Sequence, residues 1–488
     1  MKAAIVCLAI SAMSIPAAYA QQATVTRLDG TTISAEQIDQ TMTKLITAAE
    51  VTGAGIAIID HSKLAYLKAY GFRDREKNLP LTVDSVMSAA SISKSAFAYL
   101  VMELVDQGVL DLDKPVYQYL PKPLPEYPKY VDLANDERYK RITARMLLSH
   151  TSGFANWRWL EEDRKLRIHF EPGSKFAYSG EGIDLLQLVV ETVTKKPLEQ
   201  SMQESVFGPF GMTRTSMVWE ERFESDYANG YDEYGRSVGP HRWKSADAAG
   251  SMQITISDLA KFLQGVMQGK GLREKTREQM FSPQVEITSK HEFPSLNNET
   301  TDENKAIRLS YGLAWGLYWS PYGKVFFKEG HDEGWRNYAV CFEKEKSCLA
   351  ILTDSSNGEG IFKYVLETLL RDTFTPIEWE QYTPYDRLPA RLPLKLHKQV
   401  AVDAKILDRY VGRYGIPPNI VLTIRREGDH LSVQENDEPK QELLPESDMD
   451  FYSAASEDAF TFDVNAQGQV TGMTLHVDGH DILAKRIE

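Results

Sequence analysis

Several segments of the chain carry apolar residues at the spacing of an amphipathic helix. The first follows Ser34 and Gln37, which stand at the two positions of a capping box. The second ends at Gly108, a residue type that helix C-termini favour. The predicted helices lie at 34–46, 91–108, 184–195 and 257–267.

Short apolar runs predict strands between and after these helices. Segments 55–59 and 64–70 flank a polar turn and indicate a β-hairpin. From residue 310 the pattern changes to short consecutive apolar runs, followed by a helical segment at 360–371. The order of helices, strands and a helical insert is typical of an α+β fold. The runs that predict antiparallel strands are 312–319, 325–328, 338–342 and 349–353.

The last part of the chain has a different pattern. Four prolines between 376 and 393 indicate a linker. Short alternating runs separated by Gly, Asp and Asn continue from 420 to 487 and predict a small all-β domain, a barrel. We therefore divide the chain into a main domain at 21–378, a Pro-rich linker at 379–402 and a β domain at 403–488.

The first twenty residues have the pattern of a secretory signal peptide. Lys2 supplies the charged start, 3–15 are apolar, and Ala18 and Ala20 form a small-x-small cleavage site. The apolar stretch is shorter than the roughly 20 residues that cross a bilayer, and no later run is long enough. We expect a signal peptide at 1–20 and a soluble, exported mature chain, periplasmic or secreted, without a transmembrane segment.

Charge and cysteine content narrow the classes of function. The formal net charge of −14 argues against nucleic acid, whose phosphates need a basic surface, and against a polybasic membrane contact. Cys341 and Cys348 flank a predicted hairpin turn. An oxidising compartment permits a disulfide across paired strands, and two buried free thiols are the alternative.

Ser91 and Lys94 form the one Ser-x-x-Lys sequence of the chain, at the start of the second predicted helix. Residues three apart share a helical face, so the lysine amine can reach the serine hydroxyl. The helix N-terminus offers free N–H groups and partial positive charge for an oxyanion. Lysine can act as the base only where its environment lowers its pKa from about 10.4. On these two residues alone, an exposed first-turn lysine is the simpler interpretation.

Further segments change that interpretation when they are taken in order. They lie at 86–94, 102–113, 146–153, 172–180, 209–212, 248–251, 311–317 and 330–331. Together they resemble the serine hydrolases related to class C β-lactamases, a family that includes penicillin-binding-protein-like esterases and D-aminopeptidases. Several motifs in one order are more specific than any single one. The resemblance implies an acyl-enzyme on Ser91, with Lys94 and Tyr178 sharing the acid–base role.

Two places depart from the family's pattern. Gly180 stands where the family often has an asparagine that contacts substrate and lysine. The third motif, Lys-Thr-Gly or His-x-Gly in the family, matches poorly between His331 and Gly334: either Glu333 replaces its glycine or the loop has lost residues. His331 is then either a substrate-binding residue or a strand-end histidine without a catalytic role. The mismatch implies that the cationic side chain for a β-lactam carboxylate is missing.

The segment 408–414 resembles the lipocalin-like β domain that is appended to some of these hydrolases. The implied function is a serine hydrolase acting on esters or on D-amino-acid amides and peptides, with a small-molecule or peptide substrate. We expect no cofactor and no metal, since no His-Glu-x-x-His spacing is present. The alternatives are a β-lactamase or D-Ala-D-Ala carboxypeptidase, and a non-catalytic or slowly deacylating penicillin-binding-like protein. The oligomeric state stays open.

Overall fold

The computed structural model of the protein describes residues 24–388, 399–417, 420–436, 440–453, 458–477 and 480–487. The predicted signal peptide at 1–20 lies outside the described residues, as does part of the predicted linker, 389–398. Within the described ranges, no helix has both the length and the apolar character needed to cross a membrane.

The main domain is built on one antiparallel sheet. Its strands are β1 (Gly53–Asp60), β2 (Lys63–Asp74), β3 (Leu79–Pro80), β4 (Val285–Glu286), β5 (Ser310–Tyr311), β6 (Gly316–Ser320), β7 (Gly323–Asp332), β8 (Trp335–Phe342) and β9 (Ser347–Thr353). Their order in the sheet is β4-β5-β6-β7-β8-β9-β1-β2-β3, so the early hairpin β1–β2 joins the later strands through β9. The hairpin and the consecutive strands predicted from the sequence are therefore confirmed as parts of a single sheet.

The two faces of this sheet bury two separate cores. In β1, Ile56 and Ile58 belong to one core while Ala57 and Ile59 belong to the other, as the alternation of a strand requires. Both faces are covered by helices, so every residue of β1 is buried. This arrangement confirms the predicted α+β fold.

The longer helices of the described chain are α1 (Ala35–Ala48), α2 (Ile92–Asp106), α3 (Gly180–Thr194) and α4 (Ile256–Gln268). The predicted capping box at Ser34 is present at the start of α1. Helix α2 is buried on all sides between 92 and 102 instead of on one face, because β7 and the helical insert both pack against it. Shorter α-helical turns lie at Ala144–Leu148, Leu198–Met202, Gly208–Phe210, Glu274–Met280, Phe362–Val365 and Ala404–Tyr410.

The segment at 360–371 differs from its prediction as one continuous helix. It consists of a 3₁₀ turn at Gly358–Ile361, an α-helical turn at Phe362–Val365 and a π-helical turn at Leu366–Leu370. Its apolar residues are nevertheless buried in the same core as those of α1. The apolar pattern therefore identified the buried face of this segment. It did not show that the spacing of the backbone hydrogen bonds changes from one turn to the next.

The last part of the chain forms a closed antiparallel barrel, which confirms the predicted all-β domain. Tyr414 on the first strand pairs with Arg486 on the last, and this pairing closes the barrel. Alternate residues such as Leu422 and Ile424 point to its interior core. The strands are β10 (Gly412–Ile416), β11 (Ile420–Glu427), β12 (His430–Glu435), β13 (Gln441–Pro445), β14 (Asp450–Ser453), β15 (Ala459–Val464), β16 (Val470–Val477) and β17 (His480–Arg486).

Cys341 and Cys348 form a disulfide, as one of the two interpretations of the sequence predicted. They are directly opposite each other on β8 and β9, with their Cα atoms 4.1 Å apart. Both are fully buried in the core that also contains α2. The bridge therefore ties together two central strands of the sheet.

The first residues of the predicted linker pack against the main domain. Trp379 and Tyr382 are 3% and 6% exposed and belong to the core that contains α1. The Tyr338 hydroxyl donates to Glu380 Oε2 at 2.8 Å. This stretch of the chain is therefore held on the body that precedes it, and the linker bounds of 379–402 stay a prediction.

Candidate active site

Ser91 lies at the N-terminus of α2 with its hydroxyl uncommitted to the helix. It immediately precedes the first helical residue, yet its side chain makes no capping hydrogen bond. Ala90 before it has a left-handed backbone with φ of 46°, a conformation that non-glycine residues keep only where the surrounding structure imposes it. The turn thus presents a partly exposed hydroxyl in front of the N–H groups of a buried helix.

Lys94 lies one helical turn after Ser91 and points at its hydroxyl. The Lys94 Nζ donates to Ser91 Oγ at 2.9 Å and to the Ala249 carbonyl oxygen at 2.6 Å. Burial, aided by the nearby Lys328 ammonium, lowers the pKa of Lys94 to about 8. A usable fraction of the amine is therefore neutral near neutral pH, as a general base for Ser91 requires.

Tyr178 lies beside Ser91 and Lys94. Its ring centroid is 5.1 Å from Lys94 Nζ, and its hydroxyl lies near the Ser91 side chain. Burial, together with the Glu329 carboxylate, holds the pKa of Tyr178 well above its usual value. The phenol is therefore protonated at neutral pH and suited to donate a proton. The structure brings Tyr178 into one cluster with Ser91 and Lys94, although it is far from both in the chain.

His150 supports the Tyr178 ring from behind. The two ring centroids are 4.3 Å apart, and His150 Nδ1 accepts a hydrogen bond from the Ser179 N–H at 3.2 Å. Complete burial beside the two lysines holds the pKa of His150 well below its usual value. His150 is therefore a neutral packing residue that fixes the orientation of Tyr178.

Lys328 is a residue of this cluster that the sequence analysis missed. It projects from β7, is fully buried, and donates from Nζ to the Tyr178 hydroxyl at 3.0 Å. Its ammonium also pairs with Glu329, the next residue. Lys328, Glu329 and Gly330 have the spacing of Lys-Thr-Gly, which is the signal that could have identified them. The expectation that a cationic side chain is missing here is therefore wrong.

Strand β7 passes directly beside the turn that carries Ser91. A Cβ on Gly330 would overlap the Ala89 carbonyl, so only glycine permits this close approach of the two backbones. Asn337, which is opposite Gly330 on β8, donates to the Ser88 carbonyl oxygen at 2.9 Å. These two contacts fix β7 against the nucleophile turn.

His331 and Gly334, the residues predicted for the third motif, lie away from these contacts. The His331 side chain is 52% exposed, and its Nδ1 is 3.5 Å from Glu359 Oε2. Gly334 lies in the turn between β7 and β8 with φ of 76°, and its N–H donates to Ser356 Oγ at 3.0 Å. The side chain on β7 that contacts Tyr178 is that of Lys328, three positions before His331.

Gly180 begins α3, and Trp157 occupies the space that a side chain at this position would need. The six-membered ring of Trp157 would overlap a Cβ on Gly180. The Gly180 N–H donates to both the carbonyl oxygen and the Oδ1 of Asn156, each at 3.0 Å. The same indole ring lies 5.9 Å from Lys94 Nζ. Gly180 therefore shapes the site indirectly, because its lack of a side chain lets the Trp157 ring lie beside Lys94.

Three buried carboxyl groups lie behind Tyr178 and Lys328. Oxygen atoms of Glu292, Glu329 and Glu380 are within 4.8 Å of one another. The Lys328 ammonium neutralises Glu329, while burial and the Glu329 charge raise the pKa of the other two carboxyls well above the usual value. By their oxygen donors these residues could hold a cation. The Lys328 ammonium already balances the charge of Glu329, and the protonated Glu292 and Glu380 carry no charge, so the cluster needs no further cation.

The fold and the serine–lysine–tyrosine cluster define the class of the protein as a serine hydrolase. Residues 38–369 match the family model described as Beta-lactamase, and the chain belongs to this family. Residues 396–486, which include the barrel, match the model of a domain of unknown function, DUF3471. The resemblance inferred from the motifs is thereby confirmed.

Two curated relatives extend the comparison. Penicillin-binding protein 4* of Bacillus subtilis is 26% identical over an alignment of 432 residues that covers 80% of this chain and 86% of that protein. Esterase EstB of Burkholderia gladioli is 30% identical over an alignment of 234 residues that covers 42% of this chain and 57% of the esterase. The first match extends well beyond the residues that match the Beta-lactamase model.

Two solved structures share the fold. The octameric penicillin-binding protein homologue from Pyrococcus abyssi has a TM-score of 0.56 at 21% identity and covers 93% of this chain and 100% of its own. D-alanine carboxypeptidase AmpC from Burkholderia cenocepacia has a TM-score of 0.55 at 19% identity and covers 68% of this chain and 98% of its own. At such identities the likeness concerns the fold alone.

Proposed function

We propose that this protein is an exported serine hydrolase that forms an acyl-enzyme on Ser91, with Lys94 as general base and Tyr178 as general acid. The observation that carries the proposal is the 2.9 Å hydrogen bond between Lys94 Nζ and Ser91 Oγ. A buried amine at this distance, with its pKa lowered to about 8, is able to take the serine proton.

Acylation begins as the neutral Lys94 amine takes the Ser91 proton and Oγ attacks the substrate carbonyl. The oxyanion forms beside the Ser91 N–H, where the positive end of the α2 dipole stabilises it. The Tyr178 phenol gives its proton to the leaving alkoxide or amine, and the Lys94 ammonium then returns a proton to Tyr178. One proton has thereby passed from the serine to the leaving group.

Deacylation repeats these steps with water as the nucleophile. Lys94 takes a proton from the attacking water, whose oxygen bonds to the acyl carbon. The ester bond to Ser91 then breaks, and Ser91 Oγ recovers a proton through Tyr178. The acyl group leaves as a carboxylic acid, and the three residues return to their starting protonation.

The balance of charge at the site favours neutral esters and amides over substrates with a carboxylate. Lys328 lies 3.0 Å from the Tyr178 hydroxyl, but its positive charge is paired with Glu329. A substrate carboxylate beside this ion pair meets both a positive and a negative charge and gains little from either. Small esters and D-amino-acid amides lack that carboxylate, whereas β-lactams and D-Ala-D-Ala peptides carry one. The similarity to esterase EstB supports the ester class.

The mass of the intact mature protein after fluorophosphonate treatment tests the nucleophile. We expect one adduct on the wild type and none on Ser91→Ala. Ser282→Ala is the matched control, because its hydroxyl donates to the Glu278 carbonyl oxygen at the end of a different helix, and it keeps the adduct. A folded wild type without an adduct contradicts the proposal. Screening with p-nitrophenyl esters, D-amino-acid amides and β-lactams then defines the substrate.

A slowly deacylating penicillin-binding protein is a second candidate. The similarity to penicillin-binding protein 4* over 80% of the chain favours it. This candidate predicts a burst of one product per protein followed by slow release. Steady turnover of a p-nitrophenyl ester, with Ser91→Ala as the inactive control, favours the hydrolase instead.

We also propose that residues 1–20 are a cleaved signal peptide and that the main domain and the β domain divide at the linker 379–402. The disulfide between Cys341 and Cys348 supports export, since disulfides persist in oxidising compartments. The N-terminal sequence of the protein recovered from the periplasm or medium is expected to begin at Gln21. Protein that keeps Lys2 and stays in the cytoplasm contradicts export.

A further inference from the structure

Two tryptophans form an aromatic platform beside the catalytic cluster. The Trp157 ring is 5.9 Å from Lys94 Nζ and fills the space over Gly180. The Trp159 ring stacks on Trp157 with a centroid separation of 4.5 Å and an interplanar angle of 11°. Together the two rings, here called the Trp157–Trp159 platform, extend from the amine of Lys94 towards the surface.

The outer part of this platform is exposed to solvent. Trp159 is 55% exposed, and the neighbouring Leu160 is 67% exposed. Burying rings and large aliphatic side chains is favourable, so two such neighbours left open to water form an apolar surface that a ligand can cover. The platform therefore offers apolar area at a place continuous with the reacting groups.

The platform is held in place by the segment between its two rings. Arg158, which separates them, donates from Nε and Nη2 to the two Glu181 oxygens at 2.7 and 2.6 Å, and from Nη1 to the Lys129 carbonyl oxygen at 2.6 Å. Glu181 is 2% exposed and belongs to α3. The rings are therefore fixed to the helix that follows Tyr178, which lowers the entropy cost of binding a ligand against them.

The same ion pair removes charge from the platform. The Arg158 guanidinium donates its hydrogen bonds to Glu181 and to the backbone. What Trp157 and Trp159 present to a ligand is ring surface, which suits flat apolar groups through stacking and edge-to-face contact.

We propose that the Trp157–Trp159 platform is a substrate subsite that takes an aromatic or other flat apolar group attached to the reacting ester or amide. The inference rests on the proposed hydrolase function and adds the class of substrate. Trp159 acts as a specificity-determining residue through its exposed face. Trp157 sets how close the group comes to Lys94, and Gly180 makes room for that ring.

Two pairs of esters test the subsite by their ratios of kcat/KM. The acyl pair is p-nitrophenyl phenylacetate against p-nitrophenyl acetate, and the alcohol pair is benzyl acetate against ethyl acetate. We expect Trp159→Ala to lower one of the two ratios about five-fold, the size of one lost aromatic contact. Trp159→Phe keeps most of the ratio, and Val109→Ala, at a 39% exposed site after α2, leaves both ratios unchanged. A fall in the first ratio assigns the acyl group to the platform, and a fall in the second assigns the leaving alcohol.

Unchanged ratios for both pairs in Trp159→Ala overturn the subsite while leaving the hydrolase function intact. A wild type that hydrolyses none of the four esters contradicts the proposed function instead. In that case binding of the uncleaved amide N-benzylacetamide to Ser91→Ala, compared with N-ethylacetamide by saturation-transfer NMR, tests the platform without turnover. Weaker binding of N-benzylacetamide to Ser91→Ala/Trp159→Ala supports the subsite, and equal binding overturns it.

Discussion

The Lys328 ammonium donates a hydrogen bond of 3.0 Å to the Tyr178 hydroxyl while it is paired with Glu329. All three groups are almost fully excluded from solvent. The lysine therefore couples the phenol to a carboxylate on its own strand, and a change in either neighbour alters the electrostatic environment of the other.

Lys328→Met is expected to destabilise the fold by about 3–5 kcal/mol, because it leaves the buried Glu329 charge unpaired. Urea unfolding measures this loss. The double variant Lys328→Met/Glu329→Gln recovers most of the stability, since it leaves no lone charge, while ester turnover stays low without the hydrogen bond to Tyr178. A single variant as stable as the wild type would show that the ion pair is not buried as described.

Glu329→Gln is expected to shift preference towards substrates with a carboxylate, because it frees the positive charge of Lys328. The ratio of kcat/KM for a β-lactam or a carboxylate-bearing ester to that for a neutral ester should rise about ten-fold, the size of one hydrogen bond to a charged group. Glu359→Gln is the control, because Glu359 pairs with Arg336 and lies near His331. Equal ratios in Glu329→Gln and wild type would show that the charge of Lys328 does not affect the choice of substrate.

Tyr178→Phe is expected to lower turnover about 100-fold if the phenol is the general acid. The loss should be larger for an alkyl ester or amide than for a p-nitrophenyl ester, whose leaving group needs little help from a proton. Tyr311→Phe is the matched control, because it removes a buried hydroxyl that has no hydrogen-bond partner among the described residues. The same small loss on every substrate would reduce Tyr178 to a packing role.

The pH dependence of kcat/KM follows from Lys94. Its pKa is lowered to about 8, and only the neutral amine can take the Ser91 proton. Activity on a neutral ester is therefore expected to be low at pH 6, to rise through about 8 and to level off above it. Lys94→Arg, which stays charged across this range, should abolish the rise. An activity that falls between pH 7 and 9 would contradict the assignment of Lys94 as the base.

The double variant Cys341→Ser/Cys348→Ser is expected to lower the free energy of unfolding by about 2 kcal/mol, the size for a disulfide that closes a short loop. The two positions are seven apart in the sequence. Urea unfolding of the variant, beside the wild type with and without reductant, measures the effect. Identical midpoints with and without reductant would mean that the bridge does not constrain the unfolded chain.

The apolar pattern predicted the fold well where burial decides it. The hairpin and the later strands were visible as short apolar runs, because both faces of their sheet are buried. The barrel was visible because the residues of its strands alternate between a buried interior and an outer face. The pattern could not show that the two groups of strands form one sheet, since pairing of β9 with β1 joins residues nearly 300 positions apart. It also could not separate the three helical turns at 358–370, because the same apolar residues serve all of them.

The candidate site was predicted only in part. The helix start placed Ser91 and Lys94 together, and the motif order added Tyr178. Lys328 was overlooked because a charged residue next to another charged residue indicates the exposed end of a strand. In the folded protein Lys328 and Glu329 satisfy each other inside the core. Neighbouring charges of opposite sign can hide a buried pair in this way.

The contact between Gly180 and Trp157 restricts the order in which this site can change during evolution. Any side chain larger than hydrogen at 180 collides with the indole, so an asparagine there is tolerated only after Trp157 has become a small residue. The reverse order passes through a protein in which the Trp157 ring has to leave its place over position 180. Homologues that differ at these positions should therefore fall into two groups, one with Gly and Trp and the other with a side chain at 180 and a small residue at 157.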